Sequence, residues 1–155
     1  MKIDKDLLKR FEEGLDPKKP EESPIQARVL GYGEISTVFE ILHEDQSDIA
    51  FKRMPLFDNM EDVERYRDVY NRYHERLSQI GIVTPEYGSV VIETDNGRIV
   101  LYLYQRKLPS ESIGNHLVHQ VSEEGVHNLV LTTLRHLNRV WEFNEKERPH
   151  LEVAI

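Results

Sequence analysis

Between Met60 and Ile80 the apolar positions Val63, Tyr66, Tyr70, Tyr73, Leu77 and Ile80 step by three, four, three, four and three residues. That is the rhythm of one helix face, so a long helix packed along a single stripe is expected, with Gly81 placed to cap it. A shorter helix is expected over Asp4 to Glu13, where Leu7, Leu8 and Phe11 share a side and Gly14-Leu15-Asp16-Pro17 follows. Elsewhere the pattern is that of strands. Ala27 to Leu42 holds two β-prone runs joined through Gly31-Tyr32-Gly33, a hairpin-like unit. Ile49 to Met54 reads as a short strand that Pro55 should end. Ser89 to Glu93 and Arg98 to Gln105 flank Thr94-Asp95-Asn96-Gly97, and an Asn-Gly pair between β-rich runs signals a hairpin. After Lys107-Leu108-Pro109 the chain turns helical, first from Ser112 to about Val121 and then from Ser122 to about Asn144. Ser122 stands as the cap of the second segment, with glutamates in its first turn. Its apolar face is Val126, Leu129, Val130, Leu134, Leu137, Val140 and Trp141.

This order predicts an α+β fold with an antiparallel sheet of about five strands, one long packed helix, and helices to follow. Three segments are expected: a helix and linker over 1–24, a sheet-bearing domain over 25–109, and helices over 110–155.

At 155 residues the chain has room for one compact domain. It has no cysteine, which removes disulfides, thiolate metal sites and cysteine nucleophiles from consideration. Its 28 acidic and 20 basic residues leave a net charge of −8, and no lysine or arginine block interrupts that balance. Nucleic acid is therefore not expected as a partner, while a small anion held by local amides is compatible. Met1 to Phe11 lacks the apolar run of a signal peptide and no segment is long enough to span a bilayer, so a cytoplasmic protein without membrane contact is expected.

The candidate chemistry sits in two places. Glycines at Gly31 and Gly33 would let the backbone approach a ligand and adopt positive φ without steric cost, and exposed amides there could hold phosphate oxygens. Two glycines in a hairpin can equally be only a turn. Strand alternation places Ala50, Lys52 and Met54 on one face, so Lys52 lies between apolar neighbours on what should be a buried side. An edge strand whose lysine snorkels into water is the alternative.

Together these residues resemble the amino-terminal lobe of protein kinases and kinase-like phosphotransferases. Gly31-x-Gly33-x-x-Ser36-x-Val38 resembles the glycine-rich loop, and Ala50-Phe51-Lys52 resembles the lysine strand. The likeness covers Val29 to Pro109 and extends to the order of elements, and Ser112 to Asn144 looks like the first helices of the second lobe. It implies a site for ATP, with Mg²⁺, in which Leu30, Val38 and Ala50 surround the base. Gly31, Gly33 and Ser36 lie over the phosphates, Lys52 meets them, and the backbone from Gln105 to Lys107 faces the adenine edge.

The chain departs from that family in three respects. Ser36 stands where a third glycine would be. The helix glutamate that should pair with the lysine is missing from the inward stripe of Met60 to Ile80, since Glu64, Asp68 and Glu75 fall off it. Either the helix turns to bring Glu64 or Asp68 to Lys52, or a tyrosine hydroxyl stands in. No catalytic or metal-holding loop precedes the apolar ending His150-Leu151-Glu152-Val153-Ala154-Ile155, which reads like a strand leading to one. No catalytic residue is thus assigned, and these residues are expected to bind a nucleotide without turning it over. A non-catalytic interaction module is the alternative, in which Leu134, Leu137 and Trp141 are covered by a protein partner or a second copy. His116, His119, His127 and His136 lack a neighbouring carboxylate set at ligand spacing, and surface histidines are the expectation rather than a metal site.

Overall fold

Strands β1 (Ala27–Tyr32), β2 (Thr37–Ile41), β3 (Ile49–Phe57), β4 (Tyr87–Glu93) and β5 (Ile99–Arg106) form one antiparallel sheet in the order β1-β2-β3-β5-β4. The computed structural model describes residues 1–33 and 36–152. Around the sheet the chain forms α1 (Lys5–Gly14), α2 (Met60–Gln79), the single turn α3 (Gly114–Leu117) and α4 (Glu123–Lys146). The fold is α+β, and among the described residues no helix is long and apolar enough to cross a membrane.

The chain divides into two compact units. The first comprises Met1–Asp68 and Pro85–Lys107. Its core lies on one face of the sheet, where Phe39, Ile41, Ile49, Phe51, Val100 and Tyr102 meet Leu8 and Phe11 of α1. Asp4 caps α1 by accepting the Leu7 N–H at 2.9 Å, satisfying one of the donors that a helix start leaves open. On the opposite face Met54, Leu101 and Leu103 are buried, as is Val63 in the first half of α2. Asn59 starts α2 by accepting the Asp62 N–H at 2.9 Å.

The Asn-Gly hairpin forms as expected. Gly97 has φ of +78° and donates to the Thr94 carbonyl at 2.9 Å, while the Thr94 hydroxyl accepts the Arg98 N–H. Pro55, in contrast, does not end β3. The strand runs on to Phe57 because three steps of β3 from Met54 to Phe57 oppose two steps of β5 from Leu101 to Ile99. Such a bulge leaves one residue out of the ladder, so a proline without an N–H is accommodated.

The second unit comprises Val69–Thr84 and Leu108–Ile155. Its core is Leu77, Val140 and Leu151, with Tyr73, Ile80, Ile82 and Phe143 packed against them. Residues 148–152 are fastened there by hydrogen bonds: Arg76 donates to the Pro149 and Arg148 carbonyls at 2.5 and 3.0 Å, and Tyr73 to that of Glu152 at 3.2 Å. The Asn144 side chain clasps Leu151 at both its N–H and its carbonyl, at 2.7 and 2.8 Å. Ser122 caps α4 through the Gly125 N–H, as expected.

Two expectations for the helices are corrected. Along the α2 stripe only Val63 and Leu77 are buried, and the tyrosines between them are half-buried. The segment from Ser112 to Val121 holds one α-helical turn, α3, after a 3-10 turn at Ser110–Ser112. The apolar ending at Val153, Ala154 and Ile155 lies outside the described residues.

Candidate functional site

The face of the sheet that points away from α1 carries most of the residues singled out in the sequence. β1 contributes Arg28, β2 contributes Val38 and Glu40, and β3 contributes Ala50 and Lys52, since alternate side chains leave a strand on opposite sides, while Leu30 precedes Gly31, the ladder partner of Val38, at a register shift where that alternation is interrupted. The ladder sets Val38 beside Lys52, Lys52 beside Leu103, and Ala50 beside Gln105. Ala50 is buried, Leu30 is 45% exposed, and Val38 lies between those extremes.

Lys52 is exposed, which corrects the expectation of a buried lysine. Alternation was right about which residues share its face, and Ala50 and Met54 are indeed buried. The fully enclosed face of β3 is however the other one, where Phe51 and Arg53 lie under α1. Among the described residues Lys52 makes no hydrogen bond or ion pair. Glu64 instead pairs with Arg67 at 2.8 Å.

The glycines also behave differently from expectation. Neither Gly31 nor Gly33 has positive φ; that conformation occurs at Gly81 and Gly97. Gly33 donates its N–H to the Ser36 carbonyl at 2.8 Å, and a β-carbon there would stand 2.8 Å from the Ser36 hydroxyl, so local packing against buried Ser36 accounts for it. At Gly31 a β-carbon would meet nothing within 4 Å. The two loop positions between them, Glu34 and Ile35, lie outside the described residues.

Where the chain leaves β5, its backbone donors are occupied. The Arg106 N–H binds the Glu86 carbonyl and the Lys107 N–H binds the Asp48 carbonyl, each at 2.8 Å. Gln105 pairs with Ala50 on one side and Tyr87 on the other, with its side chain exposed. Lys107 also extends its ammonium to Glu40, whose second oxygen takes Arg28 at 2.9 and 2.5 Å. Burial pushes the Glu40 carboxyl up, but the bonds from Lys107 and Arg28 outweigh it and hold the group below the usual carboxylate range. Glu40 was missed in the sequence, although its place two residues after Val38 puts it on this face.

A second missed acid, Glu12, lies beneath α1 on the opposite side. It accepts Arg53 at 2.7 and 2.6 Å, Arg98 at 2.8 Å and the Tyr102 hydroxyl at 2.5 Å. All of its capacity is spent within the fold, so it is a tie between helix and sheet. Among the described residues no group of three or more histidines or acids is placed to hold a metal ion. A hollow of about 560 Å³ beside the start of α1 is lined by Asp4, Asp6, Asp45 and Gln46 with two lysines, and its acids do not converge.

No family model matches the chain, and no curated protein matches it.

Proposed function

We propose that this protein is a kinase-like nucleotide-binding domain that takes ATP on the face carrying Leu30, Val38, Ala50 and Lys52. The observation that carries the reading is Lys52: an exposed ammonium without a partner among the described residues, on a strand between Val38 and Leu103. A lysine in that setting is a compact point charge for phosphate, and Leu30, Val38 and Ala50 offer apolar contact to a ring. Arg28 and Lys107 add positive charge at the same face of a protein whose net charge is −8. The space at Gly31 supports the reading too, since the fold itself asks for no glycine there. Because the Arg106 and Lys107 N–H groups are already bonded, recognition of the base edge falls to other groups than those two amides. The reading is one of binding: these residues supply charge and shape, and Mg²⁺ would arrive on the nucleotide.

The test is a melting-temperature titration with ATP and Mg²⁺ on the wild type and on Lys52→Ala. A shift in the wild type that is largely lost in Lys52→Ala is expected. No shift in the wild type sinks the proposal.

A second reading, an interaction module, is favoured by the exposure of Leu134 and Trp141 at 54% and 69%. Under it the fold serves as a scaffold for a protein contact.

A further inference from the structure

Lys107 reaches Glu40 across a whole strand. Its N–H is bound to the Asp48 carbonyl where the chain leaves β5, so its backbone lies on one side of β3, while Glu40 belongs to β2 on the other. One step past the pairs Val38–Lys52 and Phe39–Phe51, the register of β2 and β3 sets Glu40 beside Ala50. With neighbouring strands about 4.8 Å apart, Lys107 and Glu40 together bridge about 10 Å of sheet, over Ala50. Ala50 is 8% exposed beneath them, whereas Lys52, two residues along the same face, is open to water. The face is therefore open where it would meet phosphate and closed where it would meet a ring.

We infer that the Lys107–Glu40 pair is a latch over the base end of the site, and that this latch and a nucleotide ring exclude one another at Ala50. The latch rests on the reading of this face as a nucleotide site and adds its regulation. Two features let it open without stranding a buried charge. The second Glu40 oxygen keeps Arg28, at 2.9 and 2.5 Å, so the carboxylate stays paired when Lys107 leaves. The Lys107 side chain is 27% exposed, and its ammonium can turn into water while the stem stays on the sheet. A face that is open only part of the time weakens its ligand in proportion to the open fraction, so removing the latch tightens the binding of a ring.

NMR titrations with adenosine, which carries a ring and no phosphate, test this on the wild type, Lys107→Ala and Glu40→Gln, with ATP titrated alongside. Lys107→Ala should bind adenosine about tenfold more tightly than the wild type, and Glu40→Gln should gain in the same direction. One variant removes a positive charge and the other a negative one, so a gain common to both for an uncharged ligand comes from the opened face and not from the field of the protein. Adenosine binding that neither variant improves, while ATP still binds the wild type, overturns the latch and leaves the nucleotide reading standing. A gain in one variant matched by a loss in the other also overturns it. Silence toward both ligands from all three chains overturns the latch together with the reading it rests on.

Discussion

The Glu12 carboxylate grips the Arg53 guanidinium at 2.6 and 2.7 Å, with the Glu12 side chain fully buried and that of Arg53 only 11% exposed. Arg53 follows Lys52 in β3, so consecutive cations leave the strand in opposite directions, one sealed under α1 and the other open to water. Removing one partner of an enclosed pair strands the other charge, which is the expensive half of such an interaction. Glu12→Gln should therefore lower unfolding free energy by roughly 3 kcal/mol. Urea denaturation measures it, and a loss within experimental error would show that the pair is not what fastens α1.

The same carboxylate adds to what burial does to the alkaline behaviour of Tyr102. Burial, then the neighbouring Glu12 charge, push the Tyr102 hydroxyl well above its ordinary value of 10.0. A group whose folded pKa is raised contributes stability below its unfolded pKa and loses it as pH rises beyond that point. Stability should thus fall above about pH 10, and Tyr102→Phe should flatten this slope at the cost of about 1 kcal/mol at neutral pH. Ultraviolet titration should find one tyrosine that ionises only as the chain unfolds.

Glu40 has the opposite sign. Its folded pKa lies below the ordinary carboxylate value because Lys107 and Arg28 outweigh burial. The stability it contributes is present at neutral pH, above the unfolded pKa of about 4.3, and is lost as pH falls through the lower, folded value. Glu40→Gln should be less stable than wild type at pH 7, with the difference closing toward pH 3. Denaturant midpoints across that range decide it; a constant difference would show that the ion pairs contribute nothing.

Gly31 and Gly33 separate fold from ligand. Gly33→Ala crowds the Ser36 hydroxyl, whereas Gly31→Ala adds a methyl group to open space. The melting temperature of Gly31→Ala without ligand should match wild type or rise slightly, because alanine restricts the unfolded chain. If ATP approaches this backbone, the nucleotide-induced shift should shrink in the same variant. An unchanged shift would move the phosphates away from Gly31.

Local signals carried much of this architecture. Leu7, Leu8 and Phe11 marked α1, Ser122 marked the start of α4, and Asn96-Gly97 marked the β4–β5 turn, because each depends on neighbours within a few residues. Lys52 was harder. Alternation tells which side chains share a face but not which face another element will cover, and that was settled by α1, some forty residues earlier in the chain. Glu12 was legible in part, four residues after Leu8 and so on the apolar side of α1. Its partners, Arg53 on β3, Arg98 beside β5 and Tyr102 on β5, are visible only once the sheet is assembled. Pro55 misled because a bulge, which no single strand announces, removes the hydrogen bond it cannot make.

His74 gives the last prediction, in the second unit. It lies on α2 at 9% exposure, with its ring against Tyr70 at 4.6 Å and Tyr73 at 5.6 Å between centroids, and its Nδ1 is 3.3 Å from the Thr84 hydroxyl. Burial lowers its pKa from the ordinary 6.5. The unfolded chain then takes up a proton first as pH falls below that value, and folding stability declines until the folded form protonates in turn. Stability should be level above about pH 7 and slope downward below about pH 6.5. Replacing the ring by an uncharged group of similar polarity, His74→Gln, should remove this part of the slope while leaving the loss attributable to Glu40 at lower pH. Two-dimensional NMR of the imidazole protons reads the same event directly: a His74 midpoint at or above the ordinary value would mean that the ring is not shielded from water as its packing indicates.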